Sequence, residues 1–366
     1  MNQHNITWWQ PGFDESDQEQ VRRVIASGYV NEGKVTEEFE REIARLVGAK
    51  FGVGVTSGTT ALYLSLIALG VGPGDEVIVP DVTFIATASA VAMTHATPVL
   101  VDIDPETLNI SVAAMEAAIT VKTKAVVPVH VSGRAALMEP ILQVCNARGI
   151  PVVEDAAEAL CSRHMGRGLG TFGIMGCFSF SPNKTITTGQ GGMIVTDDAQ
   201  IHQRLRELKD QGRAMRGTGG DDAHPVLGFN FKLTNLQTAV GLAQLEKLPA
   251  RLERIRRTYS IYRDELAGVA GIRILPFDID NGEQPQWVDA LADRRNDLDA
   301  FLGKNGAGCR RFWYPIHSQK PYLRSDLAFP VSSRVIRDAL WLPSAFQMTD
   351  DDARLVSKLV REFYNA

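Results

Sequence analysis

Four short runs rich in β-branched residues, EVIVP (76–80), TPVLVDI (97–103), KAVVPVH (124–130) and IPVVEDA (150–156), constrain this chain more than any other feature. Helical stretches of roughly ten or more residues separate them, which is the alternation that produces a mostly parallel sheet flanked by helices. Crossovers in such sheets are right-handed, and ligands bind beyond the carboxyl ends of the strands. Any chemistry is therefore expected just after these runs.

At 366 residues the chain exceeds what one hydrophobic core usually holds, so two domains are expected. From Asp17 to Val47 apolar residues recur at spacings of three and four, and Ser27-Gly28 and Gly33 split the pattern into two helices. FGVGVTSGTTALYLSLIALG then reads as a strand, a tight turn and a buried helix. Near residue 250 the character changes. LQTAVGLAQLEKLPARLERIRRTYSIYRDEL is a long helical pattern interrupted at Pro249, followed by short strand candidates, RRFWYPIH among them, and a last helix, DDARLVSKLVREFY. The expected division is a large α/β domain over 1–248 and a smaller α+β domain over 249–366. Trp8 and Trp9 are expected to pack on the large domain.

Charge and composition narrow the function classes. A formal net charge of -5 does not suit a polyanion binder, and the basic cluster Arg251, Arg254, Arg256 and Arg257 is interrupted by Glu253, as on a solvated helix face. No nucleic-acid partner is expected. Cys145, Cys161, Cys177 and Cys309 show no CxxC spacing, so neither a metal site nor a disulfide framework is indicated. The N-terminus lacks a basic start followed by an apolar run, and no 18 consecutive apolar residues occur. A cytoplasmic protein without a membrane partner is the expectation.

Three signals fall at strand ends. In TSGTTAL (56–62), small residues open a buried helix, whose free N–H groups and dipole suit a phosphate, although Ser-Gly-Thr is also an ordinary helix cap. In VVEDAAEA, Asp155 follows an apolar strand, where a carboxylate is costly unless it meets a cation; its plainer role is to cap the next helix. In CFSFSPNKTITTGQGGMIVTDD, Lys184 lies between two apparently buried strands. There a desolvated amine becomes a nucleophile toward carbonyls, unless the residue is simply a surface lysine on a loop. A phosphate cradle, a buried carboxylate and a nucleophilic lysine match the three ends of pyridoxal 5'-phosphate.

The motifs ASGYVNEGKVTEEFE, PGDEVIVPDVTFIATASAV, DIDPETLNI, EDAAEA and RFWYPIHSQKPY, in this order over nearly the whole chain, resemble the DegT/DnrJ/EryC/StrS sugar aminotransferases, which have fold type I and use pyridoxal phosphate. The resemblance implies that Lys184 holds the cofactor's aldehyde, that Ser179 binds its phosphate together with the turn Ser57, Gly58 and Thr59, that Asp155 pairs with the pyridinium nitrogen, and that Phe84 stacks on the ring. Glu158 stands where the family commonly has Gln or His near the phenolic oxygen, a departure shared by the perosamine-synthase-like branch. HPVLGFNFKLTNLQTAVGLAQLEKL resembles the segment in which an asparagine, here Asn230, reaches the phosphate in the neighbouring subunit, which implies a homodimer with shared active sites. Lys232 replaces an expected arginine and offers a point charge in place of a bidentate fork. His317 is a candidate for touching a nucleotide diphosphate, its plainer role being structural.

The activity implied is transfer of an amino group between glutamate/2-oxoglutarate and a keto-sugar nucleotide. C4 of a 4-keto-6-deoxy sugar is favoured because Asn-Phe-Lys-Leu-Thr-Asn (230–235) is closer to the C4 pattern than to the C3 pattern. The alternatives are amination at another carbon or on a non-nucleotide keto sugar, and a non-catalytic cofactor-binding regulator. The family's dehydratases carry histidine in place of the lysine, so Lys184 argues against that class.

Overall fold

The computed structural model describes residues 5–214 and 222–365. Its larger sheet forms in two pieces, Thr97–Val101, Glu76–Pro80 and Thr123–Val126 in one, and Val153–Asp155, Met175–Ser179, Gly192–Thr196 and Phe51–Val55 in the other. Parallel bridges Val126–Val152 and Val129–Asp155 join them into one seven-stranded order. Gly192–Thr196 is antiparallel to both its neighbours, and every other pairing is parallel. The strands ending near Val55, Pro80, Asp155 and Ser179 therefore present their carboxyl ends at one edge.

The four expected runs all contribute strands to this sheet, and Glu76–Pro80 and Val153–Asp155 are buried nearly throughout, whereas the edge strand Thr97–Val101 is only partly buried. KAVVPVH is shorter than its pattern suggests: the regular pairing stops at Val126, and Pro128, which has no N–H, contributes only its carbonyl, to the Asp155 N–H at 2.9 Å. The two N-terminal helices are Glu15–Ser27 and Lys34–Val47, and Gly28 ends the first in the left-handed region at φ 71°. The Gly58–Ala68 helix is apolar nearly all round and buries Ala61, Leu62, Leu64 and Leu66.

Beyond the Asn235–Glu246 helix, Pro249 lies in the first turn of the Leu248–Glu265 helix, where its missing N–H costs nothing. A second sheet follows, antiparallel throughout, in the order Ile272–Ile274, Val288–Ala292, Ala339–Leu342 and Arg310–Arg311. Ile255, Tyr259, Tyr262, Val288, Leu340, Val356 and Val360 form a core there with the Asp350–Asn365 helix, and Ile6 from the N-terminus joins it through a bridge to Ala307. RRFWYPIH yields only the two-residue strand Arg310–Arg311 before turning into the 3-10 segment Ile316–Ser318. The two N-terminal tryptophans pack on the large domain as expected, against the cluster that holds Val82, Ile103 and Val129, with Trp9 Nε1 donating to the Pro182 carbonyl at 3.3 Å, and they also reach the second sheet. Trp8 lies 5.7 Å from the Trp287 ring and 5.9 Å from Trp341, and Trp9 lies 4.6 Å from Phe346, so they cover the broad aromatic face of the second sheet. No helix among the described residues is long and apolar enough to cross a membrane.

Candidate active site

The carboxyl edge of the large sheet opens into a cleft of about 350 Å³, closed on its far side by Trp287, Arg310 and Trp313. On the near side, Ser57 caps the Gly58–Ala68 helix by accepting the Thr60 N–H at 3.1 Å. The Ala61 N–H goes to the Ser57 carbonyl, which leaves the Gly58 and Thr59 N–H groups without helical partners. Capping and anion binding are thus compatible at this turn. A Cβ on Gly58 would stand 2.8 Å from the Ser179 Cβ, so only glycine lets the turn close against the serine hydroxyl. Ser57, Gly58, Thr59 and Ser179 all line the cleft, as does Phe84, whose ring is 53% exposed.

Asp155 ends its strand at the floor of this cleft and is 4% exposed. Thr87 donates its hydroxyl to one carboxylate oxygen at 2.7 Å, and the Ala157 N–H reaches the other at 3.2 Å. Burial pushes the Asp155 carboxyl up, and these hydrogen bonds offset only part of the shift. Its neighbour Glu154 points to the other face, as successive strand residues must. There it receives the Gly170 and Gly173 N–H groups at 2.8 and 2.6 Å and pairs with His130 at 2.8 Å.

Lys184 projects into the same cleft with its side chain 11% exposed, and its Nζ lies 4.8 Å from the centre of the Trp287 ring. Nζ donates to Oε1 of Glu158 at 3.1 Å. Burial raises the Glu158 carboxyl, with the Lys184 charge opposing it. The other Glu158 oxygen accepts the Ser132 N–H at 3.0 Å. Ser132 is fully buried at φ 54°, an uncommon backbone for a residue with a Cβ and one that must be held by its surroundings. The second sheet holds it: its hydroxyl donates to Asp289 at 2.9 Å, Arg134 pairs with the same carboxylate, and the Gln286 N–H binds its carbonyl at 2.8 Å.

Asn230, Lys232 and His317 lie outside the lining of this cleft. Asn230 is exposed, bridged to Asp210 and flanked by Phe229 and Phe231, whose rings stack at 4.9 Å. Lys232 pairs with Asp210 at 2.5 Å. His317 is buried against the Phe329 ring, with Nδ1 at 2.6 Å from Asp81 and Nε2 at 3.1 Å from Asp326, so both ring nitrogens are engaged within the chain. Sequence reading missed Thr87, Ser132, Trp287 and Arg310. Thr87 follows Phe84 by three residues and could have been suspected; the others come from distant segments and carry no local signal.

Residues 11–361 match the DegT/DnrJ/EryC1/StrS aminotransferase family. The chain belongs to that family. It is 37% identical over 352 residues to a GDP-perosamine synthase of Caulobacter vibrioides, covering 93% of this chain and 94% of that one. Among solved structures, DesI in the presence of its TDP-sugar product superposes with a TM-score of 0.91 at 30% identity, covering 100% of this chain and 94% of that one. The pyridoxal phosphate form of Spr1654, a putative sugar aminotransferase of Streptococcus pneumoniae, superposes with a TM-score of 0.93 at 25% identity, covering 99% of each. The protein is accordingly a fold type I, pyridoxal phosphate-dependent aminotransferase. The donor set fits that cofactor: an amine at one wall, a buried carboxylate raised by desolvation on the floor, and two amides without a partner among the described residues, beside a serine hydroxyl at the helix end.

Proposed function

We propose that this enzyme transfers the amino group of glutamate to C4 of a nucleotide-linked 4-keto-6-deoxy sugar. The observation that carries the reading is the convergence of Lys184, Asp155 and Glu158 on one cleft in a chain similar over nearly its full length to a GDP-perosamine synthase.

In this reading Lys184 holds the cofactor's aldehyde, and Ser57, Gly58, Thr59 and Ser179 hold its phosphate. Phe84 packs on the ring face and Asp155 keeps the ring nitrogen protonated, the ionic pairing that a desolvated carboxylate favours. When bound, the cofactor supplies an electron sink for the carbon that gains or loses its proton. Lys184 Nζ, released by an incoming amine, moves that proton to and from the substrate carbon, and Glu158 orients the amine at 3.1 Å. Trp287 and Trp313 shield the amine's side of the cleft from water.

The chain is further proposed to act as a homodimer in which Asn230 completes the partner's phosphate site. Its exposure and its place outside its own cleft support this. Lys184→Ala chains mixed with Asn230→Ala chains should then recover activity that neither has alone; a fully active monomer would end the idea. A domain division after Leu248 is supported by a core that, apart from Ile6, is drawn from Ile255 onward.

The regiochemistry is tested by offering 4-keto-6-deoxy and 3-keto-6-deoxy sugar nucleotides in parallel with nitrogen-15 glutamate and locating the label by NMR. Nitrogen at C4 is expected. Nitrogen only at C3, or none on either sugar, would overturn the reading.

A further inference from the structure

Lys184 and Glu158 lie beside the large sheet, yet both are gripped from the second sheet by one short stretch, with Gln286 just ahead of the strand Val288–Ala292 and Asp289 within it. On the lysine side, Gln286 accepts the Thr185 N–H at 3.3 Å and the Thr185 hydroxyl at 2.7 Å, and its side-chain amide donates to the Asn183 carbonyl at 3.4 Å. Both chain neighbours of Lys184 are thereby held. On the glutamate side, the Gln286 N–H binds the Ser132 carbonyl at 2.8 Å, Asp289 accepts the Ser132 hydroxyl at 2.9 Å, and the Ser132 N–H donates to Glu158 at 3.0 Å.

The two oxygens of the buried Asp289 have separate duties. Oδ2 faces Arg134, whose Nη1 donates at 2.6 Å, and this ion pair offsets the desolvation of both charges. Oδ1 takes the Ser132 hydroxyl, which also accepts the Trp341 N–H at 3.4 Å from the strand alongside. The ion pair by itself would tie the sheets together. The hydroxyl contact adds a different effect, because it fixes a residue whose backbone, at φ 54°, is unfavourable for a side chain bearing a Cβ. Released from Asp289, that backbone would relax toward negative φ and carry its N–H away from Glu158. A desolvated carboxylate that loses an N–H donor binds a proton more readily, and it then faces Lys184 with less negative charge.

We infer that Ser132 and Asp289 are positioning residues for the reaction: through the Ser132 N–H they hold Glu158 against the amine that carries the cofactor. Neither residue lines the cleft, so both act through Glu158. The inference rests on the reading of Lys184 as that amine and is independent of which sugar carbon is aminated.

The test reads the holoenzyme without substrate. Cofactor absorbance is titrated against pH for wild type, Ser132→Ala, Asp289→Asn, Glu158→Gln and the double variant Ser132→Ala/Glu158→Gln, and urea midpoints of the apoenzymes are measured alongside. Among the described residues the other charged groups facing the Lys184–Glu158 pair are Asp155 and Arg310, and every variant leaves both in place. Removing negative charge beside a cation favours loss of its proton, so Glu158→Gln should lower the absorbance midpoint by about one pH unit and Ser132→Ala by about half as much. In the double variant Ser132→Ala should add nothing, because its effect passes through Glu158. Asp289→Asn separates position from stability: an amide still hydrogen-bonds the Ser132 hydroxyl but cannot pair with Arg134, so the urea midpoint should fall while the absorbance midpoint matches wild type. The Ser132 variants decide the question even where Asp289→Asn fails to fold. An unchanged midpoint in Ser132→Ala, or a shift of equal size in the Glu158→Gln background, would overturn the inference alone. An unmoved midpoint in Glu158→Gln would overturn it together with the reading of Glu158 as the partner of the cofactor-bearing amine.

Discussion

Two clusters of buried charge lie about the same sheet, and their carboxylates behave in opposite ways. Glu40 receives Arg206 at 2.7 Å, Lys209 at 2.9 Å and the Gly54 N–H at 2.7 Å. Burial alone would push it up, yet Lys209 and Arg206 outweigh burial and hold it below the ordinary carboxylate value. Asp155 and Glu158 share one amine, Lys184, and both remain raised by burial. The first cluster balances its charge within the chain and is structural. The second leaves a desolvated carboxylate on the floor of a cleft, the arrangement expected where a cationic ligand completes the site.

The contrast can be broken most sharply at the two lysines' partners. Lys184→Ala should lower turnover by about 10³-fold or more, since both the covalent anchor and the proton carrier go, while the urea midpoint of the apoenzyme changes little. Glu40→Gln should do the reverse. Removing the carboxylate that Lys209 shares with the half-buried Arg206, which leaves Lys209 its 2.7 Å contact to Glu32 as its remaining ion pair, should cost about 1–3 kcal/mol of stability by urea denaturation, with activity per folded molecule preserved. Loss of stability in the first variant, or loss of specific activity in the second, would erase the distinction.

A smaller effect is expected from Asp155→Asn, because an amide cannot hold the ring proton but can still accept the Thr87 hydroxyl. Turnover should fall about 10²-fold with cofactor retained, measured by single-turnover absorbance. Near-normal turnover would remove Asp155 from the mechanism.

The smallest expected effect is in pH. Glu40 is lowered in the fold, so its stability contribution is present above its ordinary value near 4.5 and is lost as pH falls through its folded value. Asp155 and Glu158 are raised, so the folded apoenzyme binds their protons more readily than the unfolded chain does. Their contribution therefore falls as pH rises from the ordinary carboxylate range through the raised values. Stability curves of apoenzyme should show Glu40→Gln losing part of the acid-side decline, and Asp155→Asn losing part of the decline on the rising-pH side. Parallel curves for both variants would contradict the opposite signs.

Much of this site was legible before any coordinates because its parts are local. A strand followed by Thr-Ser-Gly-Thr, a strand ending in Glu-Asp, and a lysine between two strands each carry their chemistry within a few residues, and parallel strands bring such ends to one edge. Gly28 and Pro249 likewise marked helix ends through backbone properties of single residues. What stayed hidden needs the tertiary fold. The Ser132 N–H reaches Glu158 only because Asp289, 157 residues away, holds the Ser132 hydroxyl. RRFWYPIH reads as one strand, but Pro315 has no N–H to pair and His317 is drawn down to Asp81, so only Arg310 and Arg311 join the sheet. Trp8 and Trp9 carried no sign that their partners would be Trp287, Trp341 and Phe346.

The central claim is that the lysine facing Glu158 in this cleft carries the cofactor. Borohydride reduction of the holoenzyme followed by peptide mapping tests it directly. The account predicts a pyridoxyl group on Lys184 and on no other lysine; a label on Lys232, Lys209 or any other lysine, with Lys184 unmodified, would contradict it.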